Sequence, residues 1–325
     1  MADPGERLKC LGVEEAVPFR VRTSTRFRGV SHRAGWLLRG AAGWAEFSPF
    51  PEYPPPVAAR WLQAAVRAAT APPPPPIRDS VAVNVTVPAV ESEEAAELAR
   101  RSGCGTAKVK VAEPGQDLAA DVARVAAVRD ALGPTARIRV DANGAWDVPT
   151  AALALARLDA AAAGLEYAEQ PCRAIDELRD LRGRVRVPLA ADEALRTAVD
   201  PRAAARAVVG AVDLVVLKVQ PLGGSAEALR LAEAARLPVV VSSALETSIG
   251  LAVGLELALA VPGLAGACGL GTAALLAEDV VDEPLLPANG ALGGRVRPAP
   301  RADVLRDPRH GDVTGLVAAL DELDR

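Results

Sequence analysis

The sequence predicts an α/β protein, a modified (β/α)8-type barrel of the TIM kind with an N-terminal α+β capping domain. The length of 325 residues exceeds one ordinary domain but suits a barrel with a smaller accessory unit. Half of the residues are hydrophobic and only 3% are aromatic, which favours a core of Ala, Val and Leu packed between helices and strands. In the later part of the chain one unit repeats, a short β-rich run, a loop and a helix-period segment.

A run of prolines at residues 72–76 separates two parts of the chain. Each proline ring fixes φ and removes an amide donor, so this run predicts a stiff linker. Before it, alternating stretches at Phe19–Val30 and Trp36–Arg39 predict antiparallel strands with a short connection at His32–Gly35, and Val57–Ala69 predicts a helix. Residues 1–76 are therefore predicted to form a small α+β domain.

Residues 77–274 are the predicted barrel. Eight strands are expected, at Val81–Val87, Thr106–Lys110, Arg137–Asp141, Leu165–Glu169, Leu189–Asp192, Leu214–Lys218, Val239–Ser242 and Ala267–Leu270. Apolar residues at three- and four-residue steps predict helices between them, at Glu93–Arg101, Leu118–Leu132, Pro149–Ala162, Ala226–Ala235 and Ile249–Leu259. Residues from about 275 to 325 are expected to pack back on the capping domain and to end in a helix at Val313–Leu323.

Composition argues against several classes of protein. The formal charge is −4 and the arginines are scattered among acids, so no nucleic-acid partner is expected. No apolar signal core lies in the first 30 residues and no long uncharged apolar segment follows, which predicts a soluble, cytoplasmic protein without a membrane partner. The four cysteines form no Cys-x-x-Cys pair, so we expect buried thiols and neither zinc nor disulfides.

Nearly every predicted barrel strand ends in a charged or polar residue. In chain order these are Lys108 with Lys110, Asp141, Glu169, Asp192, Lys218, and Ser242 with Ser243. In a barrel the carboxyl ends of the strands surround one cavity, so these side chains should converge. A single aspartate at a strand end often caps the next helix, but ionisable residues on five consecutive strands favour a shared site.

Lys108 and Lys110 are two residues apart on one strand and should project from the same face, about 7 Å apart along the backbone. Mutual repulsion and partial desolvation should lower the pKa of both amines toward the range of a general base. The alternative is an exposed basic strand end.

Asp141, Glu169 and Asp192 would bring three carboxylates into one cavity. At about 4 Å and an effective dielectric near 20, each pair would repel by about 4 kcal/mol. A hard cation relieves this, and oxygen-only ligands suit Mg²⁺ or Mn²⁺. The only histidines are His32 and His310, so proton transfer is assigned to lysine or a carboxylate.

Lys218 ends a strand on the far side of the barrel from Lys108 and Lys110. A substrate carboxylate on the cation would place the adjacent carbon between opposed lysines. One lysine could take the proton while the opposing ammonium stabilises the developing charge. A small-molecule carboxylate is the predicted substrate.

These residues, in this order, resemble the enolase superfamily and its muconate-lactonising subgroup. The matching motifs are Lys108-Val109-Lys110, Asp141-Ala142-Asn143-Gly144, Glu169-Gln170-Pro171, Asp192-Glu193 and Leu217-Lys218. The resemblance implies that Lys110 is the base and then the acid, and that Lys218 faces the enediolate. It also implies that Lys108 and Asn143 bind substrate and that Asp141, Glu169 and Asp192 hold Mg²⁺.

Within this subgroup, residues 43–50 and 242–248 are most similar to the o-succinylbenzoate synthase family. That family dehydrates 2-succinyl-6-hydroxy-2,4-cyclohexadiene-1-carboxylate (SHCHC) to 2-succinylbenzoate in menaquinone biosynthesis. The likeness implies that Ser242 and Ser243 contact the succinyl tail and that the capping domain covers the barrel mouth. The short connection at His32–Gly35 predicts a looser closure than a long capping loop would give.

Three other functions are compatible with the same residues. The first is an N-succinylamino acid racemase or dipeptide epimerase of the same subgroup, which would use both lysines as bases. The second is a metal-free lyase with Lys218 as a Schiff base. The third is a non-catalytic barrel, which would leave the clustered carboxylates without a role. Nothing in the sequence indicates the oligomeric state.

Overall fold

A computed structural model describes residues 3–27, 29–306 and 313–324. Its strands are β1 Val13–Phe27, β2 Val30–Gly40, β3 Gly43–Phe47, β4 Ser80–Ala82, β5 Val85–Val87, β6 Thr106–Lys110, β7 Arg137–Asp141, β8 Leu165–Glu169, β9 Leu189–Ala191, β10 Leu214–Leu217, β11 Val239–Val241 and β12 Ala291–Gly293. Its helices are α1 Pro4–Cys10, α2 Pro55–Thr70, α3 Ser92–Arg101, α4 Leu118–Leu132, α5 Val148–Ala161, α6 Ile175–Arg182, α7 Glu193–Arg196, α8 Pro201–Ala207, α9 Ser225–Ala235, α10 Ser248–Ala260, α11 Ala302–Arg306 and α12 Val313–Leu323. Among these residues, none of the helices combines the length and the apolarity that crossing a bilayer requires.

The first sheet is antiparallel, in the order β1-β2-β3, and α2 packs against it. Helix α2 buries Trp61 and Leu62 against Phe47 and Phe50, which form the core of this unit. Large aromatic side chains contribute most of the buried apolar area in such a small core. The α+β character predicted for the N-terminal part is confirmed.

The predicted connection at His32–Gly35 is wrong, because those residues lie within β2. The hairpin turns instead between Phe27 and Val30, which pair with each other. Gly35 is a close-approach glycine, since a Cβ there would overlap the carbonyl oxygen of Phe47 on the neighbouring strand. Both strands of the hairpin are therefore longer than predicted, and the centre of the Phe27 ring at its tip lies 5.4 Å from Lys110 Nζ of the barrel.

The second sheet is parallel and curls in the order β5 to β11. Residues Ala267–Gly269 close the barrel between its two edges. On one side the Cys268 amide donates to Ala82 and the Asn84 amide donates to Cys268, and on the other the Gly269 amide donates to Val241. The expected barrel is confirmed, although the eighth strand is reduced to isolated bridges and Val81–Val87 is split into β4 and β5.

The predicted strands at β6, β7 and β8 match the structure residue for residue. The predicted helices, and the other predicted barrel strands apart from Ala267–Leu270, end within two residues of the observed ones. The bounds predicted for the two strands of the first sheet, Phe19–Val30 and Trp36–Arg39, are wrong by three to six residues at three of their four ends. Five short helices in the described part of the chain were not predicted, namely α1, α6, α7, α8 and α11. Each has only four to eight residues, too few to establish a helical period in the sequence.

The C-terminal segment returns to the first unit. The last helix, α12, packs on α2, and Arg7 of α1 donates to Asp321 at 2.8 Å. The boundaries at residues 76 and 274 stay predictions.

Candidate active site

The pairing of three adjacent strands brings the predicted site residues to one level of the barrel. Lys110 pairs with Asp141, and Asp141 pairs with Glu169, in the parallel register of β6, β7 and β8. Side chains alternate across a strand, so Lys108 points to the same face as Lys110. The lumen at this end therefore receives a layer of charged side chains, all of them buried.

Lys108 lies between two of the predicted metal ligands. Its Nζ donates to Asp141 Oδ2 at 3.0 Å and to the Glu169 oxygens at 3.0 and 2.9 Å. Burial opposes the charge on Lys108, but the carboxylates of Asp141 and Glu169 outweigh burial and raise its pKa. The prediction that both strand lysines have a lowered pKa is wrong for Lys108, because it considered repulsion by Lys110 without these two anions.

Lys110 lies closer to the mouth of the barrel and beneath the capping hairpin. Its Nζ donates at 2.7 Å both to Asp141 Oδ2 and to Asn143 Oδ1, and it lies 5.4 Å from the centre of the Phe27 ring. Burial lowers the pKa of Lys110, and the charge of Lys108 acts in the same direction against the attraction of Asp141. A lowered pKa is the property that a general base requires.

Asp192 and Lys218 form the opposite side of the site. Lys218 Nζ donates to Asp192 Oδ2 at 2.5 Å and lies 4.0 Å from Glu169 Oε1. Asp192 is the residue before α7, but its side chain makes no capping hydrogen bond. The capping alternative therefore does not account for this aspartate.

The three predicted substrate contacts beyond the lysines lie in the same region. Ser242 and Ser243 line a cavity of about 20 Å³ together with Lys110, Asn143 and Lys218. That volume is comparable to one water molecule. A larger cavity of about 500 Å³ shares Lys110 and Asn143 with it and opens under the hairpin tip. An organic substrate must therefore displace side chains or the hairpin to reach the inner cavity.

Gln170 is a buried residue of the site to which the sequence analysis gave no role. Its Oε1 accepts hydrogen bonds from the amides of Asp192 and Ala194, and its Nε2 donates to the carbonyl of Cys172. Gln170 also has a positive φ of 42°. Its place between two acidic motifs could have suggested that it fixes the backbone of Asp192.

A divalent cation fits the donor set of Asp141, Glu169 and Asp192. All three are buried carboxylates, and an ammonium group already bridges two of them. Burial and the charge of Asp141 raise the pKa of Glu169 to about 7, although Lys108 and Lys218 act in the opposite direction. The two ammonium groups therefore do not fully offset the cost of burying the Glu169 carboxylate, and a cation beside it would. In the described ranges, no three acidic, histidine or cysteine side chains lie close enough together to bind one metal ion. The Lys108 ammonium lies between two of the proposed ligands, Asp141 and Glu169.

A second buried polar cluster joins the capping domain to the barrel. Glu46 of β3 accepts hydrogen bonds from Ser48 Oγ at 2.5 Å and from the Thr247 amide at 2.9 Å. Burial, reinforced by the negative charge of Glu246, raises the pKa of Glu46 to about 7. Thr247 follows the segment that begins with Ser242 and Ser243, so this cluster supports one wall of the site.

Comparison with known proteins identifies both parts of the chain. Residues 91–298 match the family described as enolase C-terminal domain-like, and residues 16–69 match the one described as enolase N-terminal domain-like. The o-succinylbenzoate synthase of Thermobifida fusca is 58% identical over 89% of this chain and 87% of its own length. That of Mycobacterium ulcerans is 53% identical over 88% of this chain and 84% of its own length.

Solved structures agree on the fold. A muconate lactonizing enzyme of Pseudomonas fluorescens has a TM-score of 0.75 at 21% identity, covering 91% of this chain and 98% of its own. An L-Ala-D/L-Glu epimerase of Bacillus subtilis has a TM-score of 0.72 at 21% identity, covering 88% and 96%. At this identity the likeness concerns the barrel and its capping domain and does not extend to the reaction.

Proposed function

Because the chain belongs to the enolase superfamily, we propose that it is an o-succinylbenzoate synthase, which dehydrates SHCHC to 2-succinylbenzoate in menaquinone biosynthesis. The observation that carries this proposal is the identity of 58% to such a synthase along 89% of the chain. The buried lysines and carboxylates at one end of the barrel supply groups that the reaction needs.

In this proposal Asp141, Glu169 and Asp192 hold Mg²⁺, with Mn²⁺ as a possible substitute. When bound, the cation supplies a Lewis acid for the substrate carboxylate and offsets the charge of the three acids. Each carboxylate has two oxygens that can bind the cation once the ammonium groups of Lys108 and Lys218 move away from them. Lys108, which now bridges two of the acids, would then be free to bind the substrate carboxylate.

Lys110 is the proposed base. It removes the proton from the carbon next to the substrate carboxylate, and burial lowers its pKa in the direction that favours this step. The ammonium of Lys218 stabilises the negative charge of the enediolate. Lys110 then returns the proton to the departing hydroxyl, so that one water leaves, a carbon–carbon double bond forms and the ring becomes aromatic.

The remaining residues would bind and enclose the substrate. Asn143 accepts a hydrogen bond from Lys110 and so orients the base, while Ser242 and Ser243 line the inner cavity where the succinyl tail would lie. Phe27 at the hairpin tip lines both cavities and would exclude water. The expected cytoplasmic location and the lack of nucleic-acid or membrane partners stay predictions.

The test is a direct assay with SHCHC and Mg²⁺, compared with racemisation of N-succinylamino acids by the same preparation. We expect turnover of SHCHC, and no turnover after metal is removed with a chelator. Folded protein that racemises N-succinylamino acids but leaves SHCHC unchanged would contradict the proposal. Activity that survives EDTA and is trapped by borohydride would instead support Schiff-base chemistry.

A further inference from the structure

Arg196, the last residue of α7, is a buried cation that contacts both halves of the molecule. Its side chain is only 2% exposed. Its Nε donates to Asp192 Oδ1 at 3.0 Å, one terminal nitrogen donates to Glu193 Oε1 and the other donates to the hydroxyl of Tyr53. A planar guanidinium holds its five N–H donors in a fixed arrangement, whereas the three donors of an ammonium rotate together.

Tyr53 belongs to the capping domain, between β3 and α2. Its ring packs 6.0 Å from the ring of Phe50 and 5.9 Å from that of Trp61, so the hydroxyl is held by the aromatic core of that domain. Arg60 of α2 adds a second contact, donating to the carbonyls of Ala198 and Arg196. The end of α7 is therefore attached to the capping domain at two points.

Glu193 extends these contacts toward the proposed base. Its Oε1 accepts from Asn143 Nδ2 at 2.9 Å as well as from Arg196. The other end of the same amide, Asn143 Oδ1, accepts from Lys110 Nζ at 2.7 Å. An unbroken series of hydrogen bonds thus runs from Tyr53 through Arg196 and Glu193 to Asn143 and Lys110.

Asp192 divides its two oxygens between two cations. Oδ1 accepts from Arg196 and Oδ2 accepts from Lys218. Arg196 therefore fixes the rotation of the carboxylate and leaves Oδ2 directed toward the lysine side of the site.

We propose that Arg196 is a positioning residue that links the seating of the capping domain, sensed through Tyr53, to the orientation of Asp192 and Lys110. This inference rests on the proposed function, in which Asp192 holds Mg²⁺ and Lys110 moves the proton. Residues that orient a metal ligand typically contribute 10- to 100-fold to metal affinity or activity. The capping domain would thereby complete the metal site as well as cover it.

Tyr53→Phe is the main test, because it removes one hydroxyl and keeps the packed ring. We expect Mg²⁺ binding, measured by calorimetry without substrate, to weaken by about tenfold, and kcat to fall with little change in thermal midpoint. Tyr167→Phe is the matched control, since Tyr167 is the only other tyrosine and its hydroxyl has no hydrogen-bond partner in the described part of the chain. The control should bind Mg²⁺ as wild type does.

Arg196→Lys keeps the positive charge but loses the planar guanidinium that donates to three partners. We expect Mg²⁺ binding to weaken by about 10- to 100-fold. In the double variant with Tyr53→Phe, the loss should be no larger than with Arg196→Lys alone, because the two residues act as one unit. Additive losses would contradict the link. If Arg196→Lys fails to fold, the comparison of Tyr53→Phe with Tyr167→Phe decides the matter.

Wild-type measurements separate the two proposals. If the wild type neither binds Mg²⁺ nor converts SHCHC, the proposed function is wrong and the inference falls with it. If the wild type does both, and Tyr53→Phe binds Mg²⁺ within twofold of wild type, the proposed function stands and the role of Arg196 is wrong. A loss of kcat without a change in Mg²⁺ affinity would likewise overturn the link to Asp192.

Discussion

Lysine is rare in this chain, and its placement indicates chemistry. The sequence contains four lysines, of which Lys108, Lys110 and Lys218 are buried at one end of the barrel and Lys9 is exposed. The remaining 37 − 4 = 33 basic residues are arginines, whose guanidinium does not release its proton in proteins. Lysine thus occupies the positions where a removable proton is useful.

Lys110→Ala should abolish turnover while leaving Mg²⁺ binding largely intact, since Lys110 is the proposed base and not a metal ligand. We expect kcat to fall by at least about 10³-fold, within the range for loss of a general base. The measurement is steady-state turnover of SHCHC beside calorimetric Mg²⁺ titration. Lys9→Ala, at an exposed site, is the matched control, and activity of Lys110→Ala within tenfold of wild type would exclude the assignment.

Asp192→Asn should weaken Mg²⁺ binding strongly, because it replaces a negatively charged proposed ligand of the cation with a neutral amide. We expect at least a tenfold rise in the dissociation constant measured by calorimetry. Asp180→Asn, an exposed aspartate of α6, is the control for loss of one negative charge. Equal affinity in Asp192→Asn and Asp180→Asn would rule out the ligand role.

Sequence patterns predicted which strand ends would converge but not how the charges would pair. The wrong pKa direction for Lys108 arose because distances to Asp141 and Glu169 depend on strand register. Arg196 was missed because an arginine four residues after an aspartate usually forms an exposed helix pair. In the structure Arg196 is buried and also donates to Tyr53 of the capping domain, a contact that no local pattern of the sequence indicates.

At the scale of elements, the inner strands were the easiest to predict. β6, β7 and β8 are short apolar runs with a charged end, and burial on both faces makes such a run distinct. The connection predicted at His32–Gly35 lies within β2, where Gly35 allows the close approach of a neighbouring strand instead of a turn. At the eighth strand, a Cβ at residue 269 would overlap Ser242, so a glycine stands there and interrupts the apolar pattern of the strand.

The contact between β3 and the segment leading into α10 should make stability depend on pH. Glu46 keeps its proton up to about pH 7 in the folded protein, against an ordinary value of 4.5. Its contribution to the free energy of unfolding is therefore full below about pH 4.5 and is lost as pH rises to about 7. For Glu46→Gln, we expect the fall in stability between pH 5 and pH 8 to shrink by about 2–3 kcal/mol.

Urea unfolding at several pH values measures this effect. Glutamine can still accept from Thr247 and can donate to Ser48, so the cluster should persist in the variant. Glu94→Gln, on the exposed side of α3, is the control for removing a surface carboxylate. A wild-type pH dependence in Glu46→Gln would show that Glu46 is ionised in the folded protein throughout.

At the scale of the whole molecule, metal binding should stabilise the fold. Asp141 and Glu169 end two adjacent strands and Asp192 directly follows a third, so only the folded chain brings the proposed ligands together. At a concentration 100 times the dissociation constant, a ligand of the folded state adds about 2.7 kcal/mol to the free energy of unfolding. We expect Mg²⁺ to raise the thermal midpoint of wild type, and EDTA to reverse the rise.

The same scan on Asp192→Asn is the control, because its midpoint should respond far less to Mg²⁺. A rise of equal size in both proteins would place the stabilising ion elsewhere.

The barrel and its capping domain could be predicted as a whole from the repeat of strand, loop and helix. The way they are joined could not, because it depends on contacts such as Glu46 with Thr247 that no local pattern records.

The level pairing of Lys110, Asp141 and Glu169 also limits how genes for this protein can diverge. Deleting or inserting a single codon within β6, β7 or β8 would shift that strand by one position and turn its whole inner set of side chains outward. Length changes should therefore accumulate in the connections on either side of these strands. Across descendants, the spacing between each lysine or acid and the start of its own strand should be the slowest property to change.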